Sequence, residues 1–173
     1  MTFFTVGHSD HSLEEFIAML GEARVSLLCD VRRMPGSRHN PQFDDSVLVE
    51  ALTEAGVRYR RIAALGGLRK RAPSVPPEMN GVWRNRSFHN YADHALSEEF
   101  REGLRVLRRD AAENPAVMCA EAVWWRCHRR IIADHLLAAG EDVVHILPGG
   151  RHDPARLTPG AEIRPDGSVV YPA

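Results

Sequence analysis

The sequence predicts an α/β fold: a single domain with a mainly parallel sheet, flanking helices and a C-terminal β-hairpin. Three observations carry this reading. Short apolar runs alternate with stretches of helical periodicity, the order expected when parallel strands return through crossover helices. The runs at residues 25–31 and 116–120 are close to continuously apolar, which suits strands covered on both faces. A chain of 173 residues suits one domain with a full core.

Each element has a local reason. Residues 3–6 are aromatic and β-branched and stop at Gly7-His8-Ser9, which reads as a first strand. Ser12 and Glu15 form a capping-box pattern, and Leu13, Phe16, Ile17 and Leu20 make a helical stripe that ends at Gly21. Residues 25–31 form the second strand and run into Asp30, Arg32 and Arg33, then a turn-rich segment beginning Met34-Pro35-Gly36-Ser37. Asp44 or Asp45 caps a second helix with Val47, Leu48, Ala51, Leu52 and Ala55 on one face and Gly56 past its end. Residues 57–62 read as a third strand whose arginines place it near a sheet edge. Residues 65–96 are the least regular part of the chain. With Gly66-Gly67, Trp83, Phe88 and Tyr91, they read as a packed lid rather than a linker. Ser97 caps a helix carrying Phe100, Leu104 and Leu107. Residues 116–120 are a strand, followed by a helix with Ile131, Ile132, Leu136 and Leu137 up to Gly140. Residues 143–147 are the last buried strand. Residues 161–164 and 168–171 flank Pro165-Asp166-Gly167 as a terminal hairpin. Residues 1–150 thus form the α/β domain, and residues 151–173 a tail packed on it.

The formal net charge of −1 excludes a strongly basic protein by composition, leaving only local basic clusters. Every basic residue except Lys70 is arginine, whose planar fork suits oxyanions. The odd count of three cysteines, Cys29, Cys119 and Cys127, is paired with no visible signal peptide and no apolar run of membrane-spanning length. A reduced, cytoplasmic protein with no membrane partner is expected, its thiols structural, metal-binding or reactive.

In open α/β sheets, ligands bind beyond the carboxyl ends of the strands. The chemically rich residues fall at those ends: Gly7-His8-Ser9 after the first strand, Asp30 and Arg32 after the second, Gly66-Gly67 after the third, and Cys119 and Glu121 after the fourth. The stretch from Val117 to Arg130 holds two cysteines, a glutamate, a histidine and three arginines, more chemistry than a core requires. Cys119 and Glu121 are two apart and share a face of the strand end. Cys127 and His128 sit where the next helix begins. There the helix dipole, with Arg126 and Arg129, attracts anions and lowers the Cys127 pKa.

Three chemistries fit. Cys119, Glu121, Cys127 and His128 form a ligand set for zinc or iron, although their spacing matches no common zinc motif. A cysteine loop cradling an oxyanion is disfavoured, because Cys119 to Arg126 encloses six residues rather than five and contains no glycine. An anion site with acid–base groups is the third. In it, Ser9, Arg32, Arg126 and Arg129 hold the substrate, and His8, Asp30, Glu121, Cys127 and His128 act catalytically. For Asp30 a structural pairing with Arg32 competes closely with this role. Arg69-Lys70-Arg71, with Arg84, Arg86, Trp83 and Phe88, outlines an alternative surface for single-stranded nucleic acid.

The ordered combination of Thr5-Val6-Gly7-His8-Ser9, Asp30-Val31-Arg32 with Pro35 and Ser37, Leu65-Gly66-Gly67, Tyr91-Ala92, Phe100, Met118-Cys119-Ala120-Glu121, Cys127-His128-Arg129 and His145-Ile146 resembles the bacterial and archaeal family known as domain of unknown function 488. The resemblance spans residues 3–146 and leaves the tail outside. It implies a compact α/β domain with these residues gathered at one site, and no particular reaction.

The expected function is that of an enzyme acting on a small anionic substrate, phosphate-bearing or nucleic-acid-derived. The alternatives are a non-catalytic nucleic-acid-binding module and a metal-binding sensor or carrier. In the leading view, Arg129→Ala abolishes ligand binding and leaves the fold intact. The oligomeric state is not legible in the sequence.

Overall fold

The computed structural model describes every residue except Ser37 and Ala112. Ser37, one of the residues that carry the family resemblance, therefore lies outside the described residues. The chain runs β1 (Thr2–Gly7), α1 (Leu13–Glu22), β2 (Leu27–Asp30), α2 (Asp45–Glu54), β3 (Arg58–Arg61), α3 (Arg86–His94), α4 (Glu98–Arg109), β4 (Pro115–Cys119), α5 (Arg129–Ala138), β5 (Asp142–Ile146), β6 (His152–Pro154), β7 (Glu162–Ile163) and β8 (Val169–Val170). Six strands form one sheet in the order β3-β2-β4-β1-β5-β6, all parallel except β6, which runs antiparallel to β5. The fold is the single α/β domain that the sequence predicts, with the C-terminal β7–β8 hairpin.

The pleat of β1 and β4 divides the core in two. Phe4, Val6, Ala116 and Met118 face α1 and α2, meeting Phe16, Leu20, Leu48 and Leu52. Phe3, Val117 and Cys119 face the other way, toward Ile131, Ile132 and Leu136 of α5 and Phe100 and Leu107 of α4. Burying a side chain of this size stabilises by about 1.5–3 kcal/mol before entropy is counted. Local signals start the helices. Ser12 Oγ accepts from the Glu15 amide at 3.1 Å, and Ser97 Oγ from the Phe100 amide at 3.2 Å. Among the described residues, no helix is long and apolar enough to cross a membrane.

The structure departs from the sequence reading in three places. The stretch at residues 65–96 contains a helix, α3, whose start is marked by Asn85: its side chain accepts from the amides of Ser87 and Phe88. The helix is mostly polar but turns Tyr91 and Ala92 inward, so its apolar stripe is too short to see by periodicity alone. Second, β6 extends the main sheet, so the tail beginning at residue 151 first completes the domain. Third, β2 is shorter than the apolar run that predicts it, spanning only Leu27–Asp30. β3 lies at the edge, where its exposed Arg58, Arg60 and Arg61 discourage pairing with another strand. The tail is anchored by Tyr171, whose hydroxyl donates to Asp134 of α5 at 2.7 Å and whose amide donates to Asn80 Oδ1 at 3.1 Å.

The topology creates a crevice. β1 and β4 are neighbours, yet the chain leaves β1 for α1 on one face and leaves β4 for α5 on the other. Such diverging connections open a cleft at the carboxyl edge of a parallel sheet. The two loops stay laced together just above it, with the His8 amide on Cys119 O at 3.0 Å and the Ser9 amide on Ala120 O at 2.9 Å. Gly7 permits that closeness, since a Cβ there would lie 1.5 Å from the Glu121 carbonyl oxygen. Gly7→Ala is expected to lower stability by about 3 kcal/mol or more. Urea unfolding measures this, and an unchanged midpoint would show that the loop shifts freely.

Candidate functional site

A cavity of about 520 Å³ occupies the crevice, lined among others by His8, Arg32, Arg33, Gly67, Cys119, Glu121, Arg126, Cys127 and His128. Its outer wall includes Leu68, Phe88 and Tyr91, from the segment expected to cover the site. Gly67 must be glycine for this wall to close, because a Cβ would come within 2.9 Å of His128 Nδ1. The residues expected at the site separate into two groups, one on each side of the sheet.

On the α1/α2 side lies an ion pair. Asp30 is fully buried and accepts from the Arg32 amide, from Arg32 Nε and Nη2, and from Tyr59 OH at 2.6 Å. Arg32 Nη1 donates to Phe43 O at 2.7 Å. The Asp30 carboxylate is thus surrounded by donors, the arrangement of a structural pair, and Arg32 directs most of its fork inward. His8 stacks on Phe43, donates from Nδ1 to Ser9 O at 2.8 Å, and turns Nε2 toward Arg32 Nη1 at 3.4 Å. Burial holds the His8 pKa down, so the ring is neutral near neutral pH. Ser9 occupies a turn with φ of 47° and gives its hydroxyl to Asp10; it is not among the residues lining the cavity.

On the α5 side lies a sulfur site built around Arg129. This guanidinium is completely buried, with Nη1 2.6 Å from Cys119 Sγ and 2.7 Å from Glu121 O, Nη2 3.3 Å from Ala122 O, and Nε 3.2 Å from Thr5 Oγ1. Its donors are spent on the protein, and it does not line the cavity. The Arg129 amide also donates to Cys127 Sγ at 3.4 Å. Behind it, Thr5 Oγ1 lies 2.6 Å from Nδ1 of His145, whose ring stacks on Trp124. Thr5 Oγ1 also accepts from Arg129 Nε, and burial pushes the His145 pKa down to about 3. This imidazole is neutral.

The two cysteines are shifted in opposite directions. Burial pushes the Cys127 thiol up. The neighbouring Cys119, the charge of Arg129 and the Arg129 amide together outweigh burial, and its pKa ends below the ordinary value. Burial and the neighbouring Cys127 raise Cys119, which stays protonated. The Cys119 thiol donates to Glu121 O at 3.8 Å and takes the closest guanidinium contact, while Cys127 Sγ accepts the Arg129 amide and lies beside His128. Cys29 provides the contrast: buried alone in the core, its thiol is pushed up to about 12. His128 completes the group. Its Nε2 is 3.1 Å from Val31 O, a carbonyl that can only accept, so Nε2 carries the proton. Nδ1 then presents its lone pair to Cys127 Sγ at 3.6 Å. Burial lowers the His128 pKa, and Tyr91 braces the ring at 4.7 Å between centroids.

Glu121 and Arg126 are exposed at the cavity. Among the described residues, no three His, Cys, Asp or Glu side chains are grouped so as to hold a metal ion, and the set Cys119, Glu121, Cys127 and His128 is not gathered as one. In the basic loop, Arg69 is a strut, bonded to Gly66 O and Ala63 O and paired with Glu99, while Lys70 and Arg71 are exposed. Trp83 stacks on Phe88, packs against Tyr171 and lies under Arg130, so its ring faces are covered. The supporting residues Phe43, Tyr59 and Trp124 were not among those expected at the site, and Thr5 was named only in the motif that carries the family resemblance, without a role. Thr5, at an inward position two before Gly7, offers the one sequence signal, a hydroxyl in an otherwise apolar strand.

The chain matches the family described as domain of unknown function DUF488 over residues 12–136, and it belongs to that family. The match takes in β2, β4, both cysteines of the sulfur site and most of α5, while β1, β5 and the tail fall outside it. No curated protein and no solved structure gives a significant match.

Arg129→Met is expected to cost about 3–5 kcal/mol, the usual penalty for removing one partner from a buried charged cluster. This differs from the loss of ligand with an intact fold that the sequence alone suggests. Denaturant unfolding distinguishes the two, since a variant as stable as the parent would mean that the guanidinium is not a structural tie.

Proposed function

We propose that the protein is a thiol-dependent enzyme that acts on a small anionic substrate, with Cys127 as its nucleophile. The observation that carries this reading is the surroundings of the Cys127 sulfur. It sits at the wall of a cavity, beside a buried cation, a backbone amide and an imidazole lone pair held in place by a backbone carbonyl. Nucleophile, base and orienting group in series are the arrangement that activates a cysteine. The nearby cation and the amide offset the cost of hiding a charged sulfur.

His128 would take a proton from Cys127 when it is protonated and return one to a leaving group, its neutral Nδ1 being suited to either task. Arg33 and Arg126, with the outward part of Arg32, would attract the anionic part of the substrate. An arginine-lined cleft raises the local concentration of anions. Neither His8 nor Asp30 is needed for proton transfer in this reading; they hold Arg32 at the cavity wall.

Alkylation of Cys127, followed by peptide mass spectrometry, tests the proposal. With iodoacetamide the rate should rise with pH through a midpoint below the free-thiol value of about 8.5. Cys119→Ala, which removes the neighbouring thiol, should move that midpoint upward. Cys29 should stay unlabelled in the folded protein and serves as an internal control. Iodoacetate should be favoured over iodoacetamide relative to free cysteine, and Arg126→Ala should weaken that preference. A midpoint at or above the free-thiol value, with no preference for the anionic reagent, would sink the reading.

A further inference from the structure

We infer that the site is a dithiol centre that reduces small anionic disulfides, with Cys127 as the attacking sulfur and Cys119 as the resolving one. The inference rests on the reading of Cys127 as a nucleophile and adds the substrate class. A hydrolytic or group-transfer cysteine needs one sulfur and an acceptor for its adduct. Here a second sulfur lines the same cavity as the first, and both touch Arg129, Cys127 at its amide at 3.4 Å and Cys119 at its guanidinium at 2.6 Å. The fold goes to some length to achieve this. Cys119 ends β4 and Cys127 precedes α5, and the intervening residues loop over Gly7 to return to the same point.

The reaction balances without any further component. The Cys127 thiolate attacks one sulfur of the substrate, forming a mixed disulfide and expelling one substrate half as a thiolate. Cys119 then loses its proton to His128 Nδ1, and its sulfur attacks Cys127 Sγ. The second half leaves as a thiolate and a Cys119–Cys127 disulfide remains. The substrate gains two electrons and the cysteine pair loses two; an external dithiol restores the pair by the reverse exchange. The charge distribution suits both steps. The sulfur with the lowered pKa attacks, while the resolving sulfur stays protonated until the mixed disulfide removes the negative charge beside it. Because Arg129 and the α5 amide stabilise the reduced form, the resulting disulfide is readily reduced again.

The cavity narrows the substrate further. Arg33 and Arg126 lie at a rim that also carries Met34 and Leu68, 74% and 69% exposed, with Phe88 behind them. Large apolar side chains displayed beside arginines at a cleft mouth fit a disulfide whose halves combine a carboxylate or phosphate with an apolar or aromatic part.

The test uses dithiobis(nitrobenzoate), an aromatic disulfide with a carboxylate on each half, added to the full chain below one equivalent. Wild-type protein should release both halves as free thionitrobenzoate and show a Cys119–Cys127 disulfide by peptide mass. Cys119→Ser should release one half and keep the other on Cys127. Relative to neutral dithiodipyridine, the anionic reagent should react about tenfold faster or more with wild type than with Arg126→Ala. If wild type stops at the mixed adduct while Cys127 is alkylated at low pH as above, the dithiol inference falls and the nucleophile reading stands. If Cys127 reacts with neither the disulfide nor the alkylating agents, both fall. The wild-type stoichiometry decides the matter even if a cysteine variant does not fold.

Discussion

A single guanidinium ties this structure together. Arg129 is buried without a carboxylate partner, which is costly unless its donors are all used and a negative charge lies close by. The fold gives each guanidinium nitrogen a partner: two carbonyls of the β4–α5 loop and the Thr5 hydroxyl take hydrogen bonds, and the Cys119 sulfur lies against Nη1. The loop that joins β4 to α5, the central strand β1 and the reactive sulfurs therefore depend on one another. Moving any of them leaves an unpaired group in the core.

This dependence explains how residues that look alike in the sequence divide their work. Asp30, Arg32 and Tyr59 neutralise one another on one side of the sheet and shape the cavity wall. Cys119, Cys127, His128 and Arg129 keep an unsatisfied reactivity on the other. A carboxylate enclosed by donors is inert. The two sulfurs, by contrast, lie at the wall of the cavity. The crevice between β1 and β4 brings the two groups together without merging them, because the connections leave on opposite faces.

His145 and Trp124 show how far the support extends. The imidazole lies against the Thr5 hydroxyl, is kept neutral by burial and is held flat by the indole. Arg130, the next residue after Arg129, lies over the rings of both Trp83 and Trp124 and donates to Thr158. The start of α5 is thus gripped from the β4 loop, from the segment before α3 and from the C-terminal tail. A tail outside the family match nevertheless helps to position the residues the match contains.

What the sequence determined by itself was the fold class and the address of the site. Apolar runs and helical stripes define strands and helices through burial, and the carboxyl ends of parallel strands follow from the order of elements. Local capping at Ser12 and Ser97 was equally legible. It could not reveal α3, whose inward stripe is too short, or β6, which exists only by pairing with β5. Nor could it divide the site residues by role. Whether Arg129 meets a ligand or a sulfur, and whether Asp30 is free or enclosed, depends on side chains from distant strands. Thr5 and Cys119 reach Arg129 only because β1 and β4 pair in register, with Gly7 opposite Cys119. Periodicity records which face a residue occupies; only the folded chain decides what stands opposite it, and in a low-dielectric interior that neighbour sets charge and reactivity.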